Sequence, residues 1–234
     1  MEADEAKSNA IVDKAQVEKT SSLLPVSTST GIPLDIEWKK LEYKYAQEHV
    51  VHPSWGLAHA ERDYRNAVML AEREKMIVDK DVLFAAAYLH DLGGIGSFQK
   101  EHVDHAVRSV ELAEPLLRGW GFPMSKWASV KETILGHVYY GAAPTLPEAI
   151  VFHDADCLDF LGDIGIARLY AASSELSKGE ANLADSTKAI VSLQKQIPEK
   201  LITNAAKADS LVRVAETNEF LNKLSLYNYD AKAF

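Results

Sequence analysis

Residues 79–91 read DKDVLFAAAYLHD. Acids at Asp79 and Asp81 suit the N-terminus of a helix, where the backbone dipole is positive. From Leu83 to Leu89 seven residues in a row are apolar. A helix that is apolar all round has no solvated face, so this one is central and buried. It stops at Gly93-Gly94-Ile95-Gly96, because glycine adopts the positive φ of a helix end. At its buried end stands His90-Asp91. An imidazole and a carboxylate are costly there unless each has a partner. A divalent cation is one such partner; an ordinary histidine and aspartate at a helix terminus are the alternative.

Helical spacing continues on both sides. Trp38, Leu41 and Tyr45 mark a helix from Ile36 to Val50, and Tyr64, Ala67, Val68 and Ala71 mark one from Leu57 to Lys75. Downstream, helices are expected over Glu101–Trp120, Ser125–Val138 and Glu148–Ser173, and the rest to about Leu224 is helical with a break near Pro198. No period-2 pattern is flanked by hairpin signals, and there is no internal repeat. The fold class is all-α. Residues 1–35, with six acids, three lysines and the breakers Pro25, Gly31 and Pro33, read as a flexible or surface-draped arm. Residues 36–234 read as one domain.

Charge and composition narrow the function. The 25 basic and 34 acidic residues give a net charge of −9, which argues against binding a nucleic-acid polymer. A small phosphorylated ligand is compatible with it, because one cationic pocket overrides the net charge. A single cysteine, Cys157, excludes an internal disulfide and a cysteine-rich zinc site. No run is long enough to span a membrane. The N-terminus carries acids where a signal peptide has basic residues, which points to the cytoplasm; a mature exported form with its signal removed is the alternative. A homo-oligomer is compatible with all of this.

Two more elements carry chemistry. In His59-Ala60-Glu61-Arg62 the imidazole and guanidinium share a helix face, as a metal and an arginine acting on one phosphate would require. In His153-Asp154-Ala155-Asp156-Cys157-Leu158-Asp159, three acids lie inside an apolar helical pattern. Asp154 lies on one face and Asp156 and Asp159 on another, so one carboxylate is expected to meet a given metal while the others cap, pair with arginine or orient histidines.

His59, His90-Asp91 and Asp154, set in LFAAAYLHDL and EAIVFHDADCLDFLGDIGIAR, resemble the H…HD…D signature of the HD-domain superfamily of metal-dependent phosphohydrolases, in particular the bacterial branch with a DADxLDxxG stretch. The resemblance covers about Pro53 to Ala172. It implies an all-α bundle of five or more helices. It also implies a divalent ion (Mn, Fe, Co, Ni, Zn or Mg) on His59, His90, Asp91 and Asp154, with hydrolysis of a phosphomonoester or phosphoanhydride, often of a nucleotide. Asp91, Arg62 and Lys100 are then the candidate catalytic groups, and His153, Asp156 and Asp159 would support the ligands from behind. His105 and His137 resemble positions that supply a second metal in related enzymes, or else contact substrate; one ion is favoured over two. Trp55, Tyr139 and Tyr140 are candidate pocket walls. HDLGGIG lacks the lysine that many members carry soon after HD, and the chain lacks a GYP-type extension after His137 and a large second domain. The alternatives are a di-iron oxygenase using His105 and His137 as further ligands, and a degenerate HD domain that only binds.

Overall fold

The computed structural model describes residues 24–173 and 183–227. Among these residues it is all-α, with nine α-helices and no sheet. The helices are α1 (Glu37–His49), α2 (Leu57–Glu74), α3 (Lys80–Leu89), α4 (His105–Trp120), α5 (Trp127–Gly136), α6 (Pro147–Asp159), α7 (Gly162–Ala171), α8 (Leu183–Lys200) and α9 (Asn204–Tyr227). No helix among the described residues is long and apolar enough to cross a membrane.

Helix α3 forms as its sequence demands. The Asp79 carboxylate accepts from the Asp81 N–H and caps the first turn, while Lys126 Nζ reaches both carboxylates, 3.1 Å from Asp79 and 2.8 Å from Asp81. Every residue from Val82 to Leu89 is buried, against α1, α2, α5 and α6. Trp38 of α1 meets Phe84 and Phe122 edge-on, with ring centroids 5.7 and 5.0 Å apart. Each fully buried side chain of the size of Leu83 or Phe84 contributes about 1.5–3 kcal/mol. The regular turn ends at His90, and the backbone breaks at Asp91 (φ −101°, ψ 0°) into a 3₁₀ turn, Leu92–Gly94.

Several expected boundaries move. Helix α4 starts at His105 rather than Glu101, because Asp104 is its N-cap and His102 has φ +61°. The expected helix 148–173 is two helices, turned at Gly162 (φ +69°), where a side chain would also strike Glu216 and Arg213. The break near Pro198 falls at residues 201–203 instead, with Pro198 inside the last turn of α8. Of the expected arm, residues 1–23 lie outside the described residues. Residues 24–35 run along the surface and are pinned to it: Ile32 and Leu34 are buried, Ser27 bridges Pro33, and the Ser29 N–H donates to the Tyr43 hydroxyl at 2.8 Å.

One buried group in α1 strains this packing. Glu42 is fully buried, and neither carboxylate oxygen has a hydrogen-bond partner. Burial pushes its pKa well above the ordinary 4.5, opposed only by Lys39. The folded chain therefore holds the proton while the unfolded chain releases it, and stability falls as pH rises above the unfolded value. Glu42→Gln is expected to melt about 2 °C or more above the parent at pH 8 and to lose that advantage at pH 4, as thermal unfolding at the two pH values would record. An equal difference at both would mean that the carboxyl is ionised in the fold.

Candidate metal centre

Four histidines and two aspartates converge beneath the C-terminus of α3. His59 comes from the first turn of α2, His90 and Asp91 from the end of α3, and His105 from the first residue of α4. His137 follows α5, and Asp156 lies in the last turn of α6. The Nδ1 atoms of three rings are committed to acceptors. His59 Nδ1 lies 2.8 Å from Asp159 Oδ2, His90 Nδ1 lies 2.9 Å from the Ala87 carbonyl, and His137 Nδ1 meets the Ile134 carbonyl. A carbonyl only accepts, so Nδ1 carries the proton in His90 and His137, and Nε2 of the neutral ring presents a lone pair.

Those lone pairs meet carboxylate oxygens. His59 Nε2 and His90 Nε2 are 3.3 Å apart. Asp91 Oδ2 lies 3.5 Å from the first and 3.3 Å from the second, and Asp156 Oδ1 lies 3.3 Å from His59 Nε2. Donors held about 2.0–2.2 Å from a first-row divalent ion stand roughly 3.0–3.5 Å from one another, so these four separations suit an ion as the donor chemistry does. The other oxygen of Asp91 faces a second pair. Oδ1 is 3.4 Å from His105 Nε2 and 3.6 Å from His137 Nε2, and those two nitrogens are 3.1 Å apart. Asp91 thus stands between two pairs of imidazoles, one oxygen to each.

The electrostatics call for a cation. Burial and Arg168 oppose charge on His59, yet Asp63, Asp156 and Asp159 outweigh them and hold its pKa well above the ordinary imidazole range. Burial alone would raise the Asp91 carboxyl; His90, then the close approach of His137 and His59, hold it well below the usual range. Asp63, one turn after His59, is fully buried, and both its oxygens lack a hydrogen-bond partner although Oδ2 lies 3.1 Å from His59 Nδ1. Burial pushes its pKa well up.

A cavity of about 280 Å³ opens on Asp91, His105, His137 and Asp156. Trp55, Tyr139, Tyr140 and Phe160 wall it, and Arg168 lines it. The Arg168 side chain is 6% exposed; Nε donates to the Ser54 carbonyl at 2.8 Å and Nη1 to Asp159 at 2.9 Å. Its Nη2 makes no hydrogen bond to the described residues.

The expected residues divide accordingly. His59, His90, Asp91, His105 and His137 come together, and Trp55, Tyr139 and Tyr140 wall the cavity. Asp154 does not join them. Its carboxylate accepts from the Ile202 and Thr203 N–H groups at 2.9 and 2.7 Å and from the Thr203 hydroxyl at 2.7 Å, so it holds the start of α9. Asp156, assigned to support, stands in its place, and Asp159 orients His59 from behind. His153 bonds the Gly136 and Lys200 carbonyls and ties helix ends together, away from the donors. Arg62 grips Asp159 through Nε and Nη2, both at 2.9 Å, and faces an outer groove with Asn66 and Asp163. Lys100 lies 3.9 Å from Glu111 and does not line the cavity.

Sequence reading missed Arg168, Asp63 and the role of Gly93. The lone arginine in IGIARLYA and the i, i+4 spacing of His59 and Asp63 were the available signals. A Cβ on Gly93 would lie 2.5 Å from the His105 carbonyl oxygen and 2.6 Å from the Ser109 nitrogen. Glycine there lets the start of α4 cross the HD turn and bring His105 to Asp91.

Residues 56–161 match the HD domain family. No curated protein matches the chain. Among solved structures, one similar chain is a Lactobacillus plantarum protein with 22% identity, covering 80% of this chain and 95% of that one at a TM-score of 0.60. A second is Bacillus subtilis YpgQ in complex with ADP, with 19% identity, 82% and 99% coverage and a TM-score of 0.61. A third is a predicted HD superfamily hydrolase from an uncultured Thermotogales bacterium, with 26% identity, 78% and 88% coverage and a TM-score of 0.55. The first two likenesses are of fold alone.

Two substitutions in one helix separate the aspartates. Asp156→Asn is expected to lower metal content on elemental analysis while the melting temperature of the chelator-treated protein holds or rises. Asp154→Asn should leave metal content unchanged and cost about 1–3 kcal/mol in denaturant unfolding, through the weakened hold on α9. The reverse pattern would return the ligand role to Asp154.

Proposed function

We propose, from the premise that this chain belongs to the HD-domain superfamily, that it is a metal-dependent phosphohydrolase acting on a small phosphorylated molecule, with a nucleotide the favoured class. The observation that carries this reading is the facing of His59 Nε2, His90 Nε2, Asp91 Oδ2 and Asp156 Oδ1, the two aspartates of which line a cavity together with Arg168. These four would hold one divalent ion. Asp91 Oδ1, His105 and His137 would hold another, so two ions are favoured over one. Bound there, divalent metal supplies a water of near-neutral pKa and neutralises charge on a phosphoryl oxygen.

The chain's own groups do the rest. Arg168, fixed by Ser54 and Asp159, offers Nη2 to a phosphate oxygen without having to be ordered first. Asp159 holds the Nδ1 proton of His59 and so keeps Nε2 turned inward. Trp55, stacked on His52 at 4.1 Å, and Tyr139 and Phe160 offer flat apolar surface to a ring on the substrate. Co-crystallisation of the Bacillus subtilis relative with ADP supports a nucleotide. The net charge of −9 and the single cysteine support a small-molecule partner rather than a nucleic-acid polymer, and a cytoplasmic setting. A second reading, a di-iron oxygenase, is favoured by the completeness of the six-donor set.

Phosphate release is to be measured across a panel of phosphomonoesters and nucleoside mono-, di- and triphosphates, with protein purified without chelator. Release that stops on chelation and returns with Mn²⁺ or Co²⁺ is expected. Arg168→Lys should keep its metal and lose roughly 100-fold in kcat/KM, since lysine lacks the fixed fork. Metal-loaded protein that leaves the whole panel intact would overturn the reading, and oxygen uptake dependent on iron would establish the second one.

A further inference from the structure

The four imidazoles are not held alike. His59, His90 and His137 have side chains 1%, 2% and 3% exposed, and their Nδ1 atoms are anchored on Asp159 or on carbonyls of their own helices. His105 is 31% exposed. The hydrogen-bonding neighbour of its Nδ1 is the Tyr140 hydroxyl at 3.3 Å, and that hydroxyl donates to Asp104 Oδ2 at 2.7 Å. Tyr140 is itself 54% exposed and sits in the loop between α5 and α6. Asp104 is fixed, because its Oδ1 caps α4 by accepting from the Ala106 N–H at 2.9 Å.

We propose that Tyr140, braced by Asp104, is the positioning residue for His105, and that it sets the affinity of the outer half of the centre (Asp91 Oδ1, His105 and His137) without affecting the inner half. This rests on the two-ion reading above. A neutral His105 that gives Nε2 to the centre must carry its proton on Nδ1, and among the described residues the acceptor within hydrogen-bonding distance is the Tyr140 oxygen, whose own proton goes to Asp104; Asp104 Oδ2 itself stands 3.9 Å away. The relay Asp104–Tyr140–His105 therefore selects the ligating tautomer, as Asp159 does for His59. The difference is that Asp159 is buried at the end of a helix, whereas Tyr140 rides on a loop over the cavity mouth. The outer half is consequently the labile one, and its occupancy is tied to the seating of residues 137–146 against α4. Tyr139 packs edge-on against Tyr140 at 5.3 Å.

The test is a Co²⁺ titration of the chelator-treated full chain, followed by visible absorption and calorimetry, for the parent and for Tyr140→Phe. That variant removes only the hydroxyl of a half-exposed ring, and far-UV circular dichroism checks its fold. Two binding steps are expected in the parent. In Tyr140→Phe the tight step should be unchanged and the weaker step about 10-fold weaker or more. Asp104→Asn, which keeps the helix cap, should weaken the same step to a smaller extent. Two unchanged steps in Tyr140→Phe would overturn the proposal and leave the two-ion reading standing. So would unchanged metal binding with a raised KM, which would make Tyr140 a cavity wall only. A single step in the parent would overturn the two-ion reading itself and the proposal with it.

Discussion

The Asp159 carboxylate is the contact on which the rest of the centre leans. It is 1% exposed at the last residue of α6, and it meets His59 from α2, Arg62 from the same helix and Arg168 from α7. Those three partners hold its carboxyl far below the usual range, against the push of burial. Removing it would strand two guanidinium groups and leave the His59 ring free to turn, and an uncompensated buried charge is among the costliest single defects. The same residue supplies its backbone carbonyl to Arg168. One side chain thus fixes an imidazole tautomer on the inner side of the centre and aligns the cavity's arginine.

A second constraint is the way α3 ends. Asp91 has φ −101° and ψ 0°, in the bridge region where many active-site residues sit. Had the helix continued, His90 and Asp91 would project about 100° apart, and both could not face the same donors. Leaving the helix at this residue turns the carboxylate back beside its neighbour's ring and splits its oxygens between two histidine pairs. Gly93 then allows α4 to cross within contact distance. The next residue, Gly94, stands where many members carry a lysine, and an added Cβ there would meet only the His105 side chain, at 3.4 Å.

How much of this is legible in the sequence depends on what each signal reports. The buried helix, the all-α class and His59, His90 and Asp91 follow from apolar run length and from charge placed where charge is costly. Both signals are local. The choice among the three acids of HDADCLD depends on which face of α6 meets α2, and that is a tertiary fact. Periodicity correctly pairs Asp156 with Asp159 and sets Asp154 apart. The family signature, matched by order alone, selects the wrong member of DAD. Arg62 misleads for a related reason: it shares a face with His59, but that face reaches the centre only through Asp159. Arg168 lies over a hundred residues from His59, and its one local mark, a lone arginine in the apolar IGIARLYA, does not say what it faces.

The charge balance explains how an acidic chain can receive an anion. Asp91 and Asp156 are the carboxylates among the six donors, and four neutral imidazoles add nothing, so the donor set carries −2. Asp63, whose pKa burial pushes well up, stands outside this sum. Arg168 and Arg62 share the one Asp159 carboxylate, so these three groups together carry +1, less than the two donor carboxylates oppose. Protein groups alone therefore leave the cavity floor with no surplus of positive charge. One divalent ion would bring the donor set to neutrality and two would bring it to +2, so a second ion would strengthen this cavity's attraction for phosphate. The neutral outer histidines matter for that sum: each supplies a ligand without adding to the negative charge. On this ground the outer pair, partly exposed His105 and buried His137, would set how strongly the cavity draws in an anion.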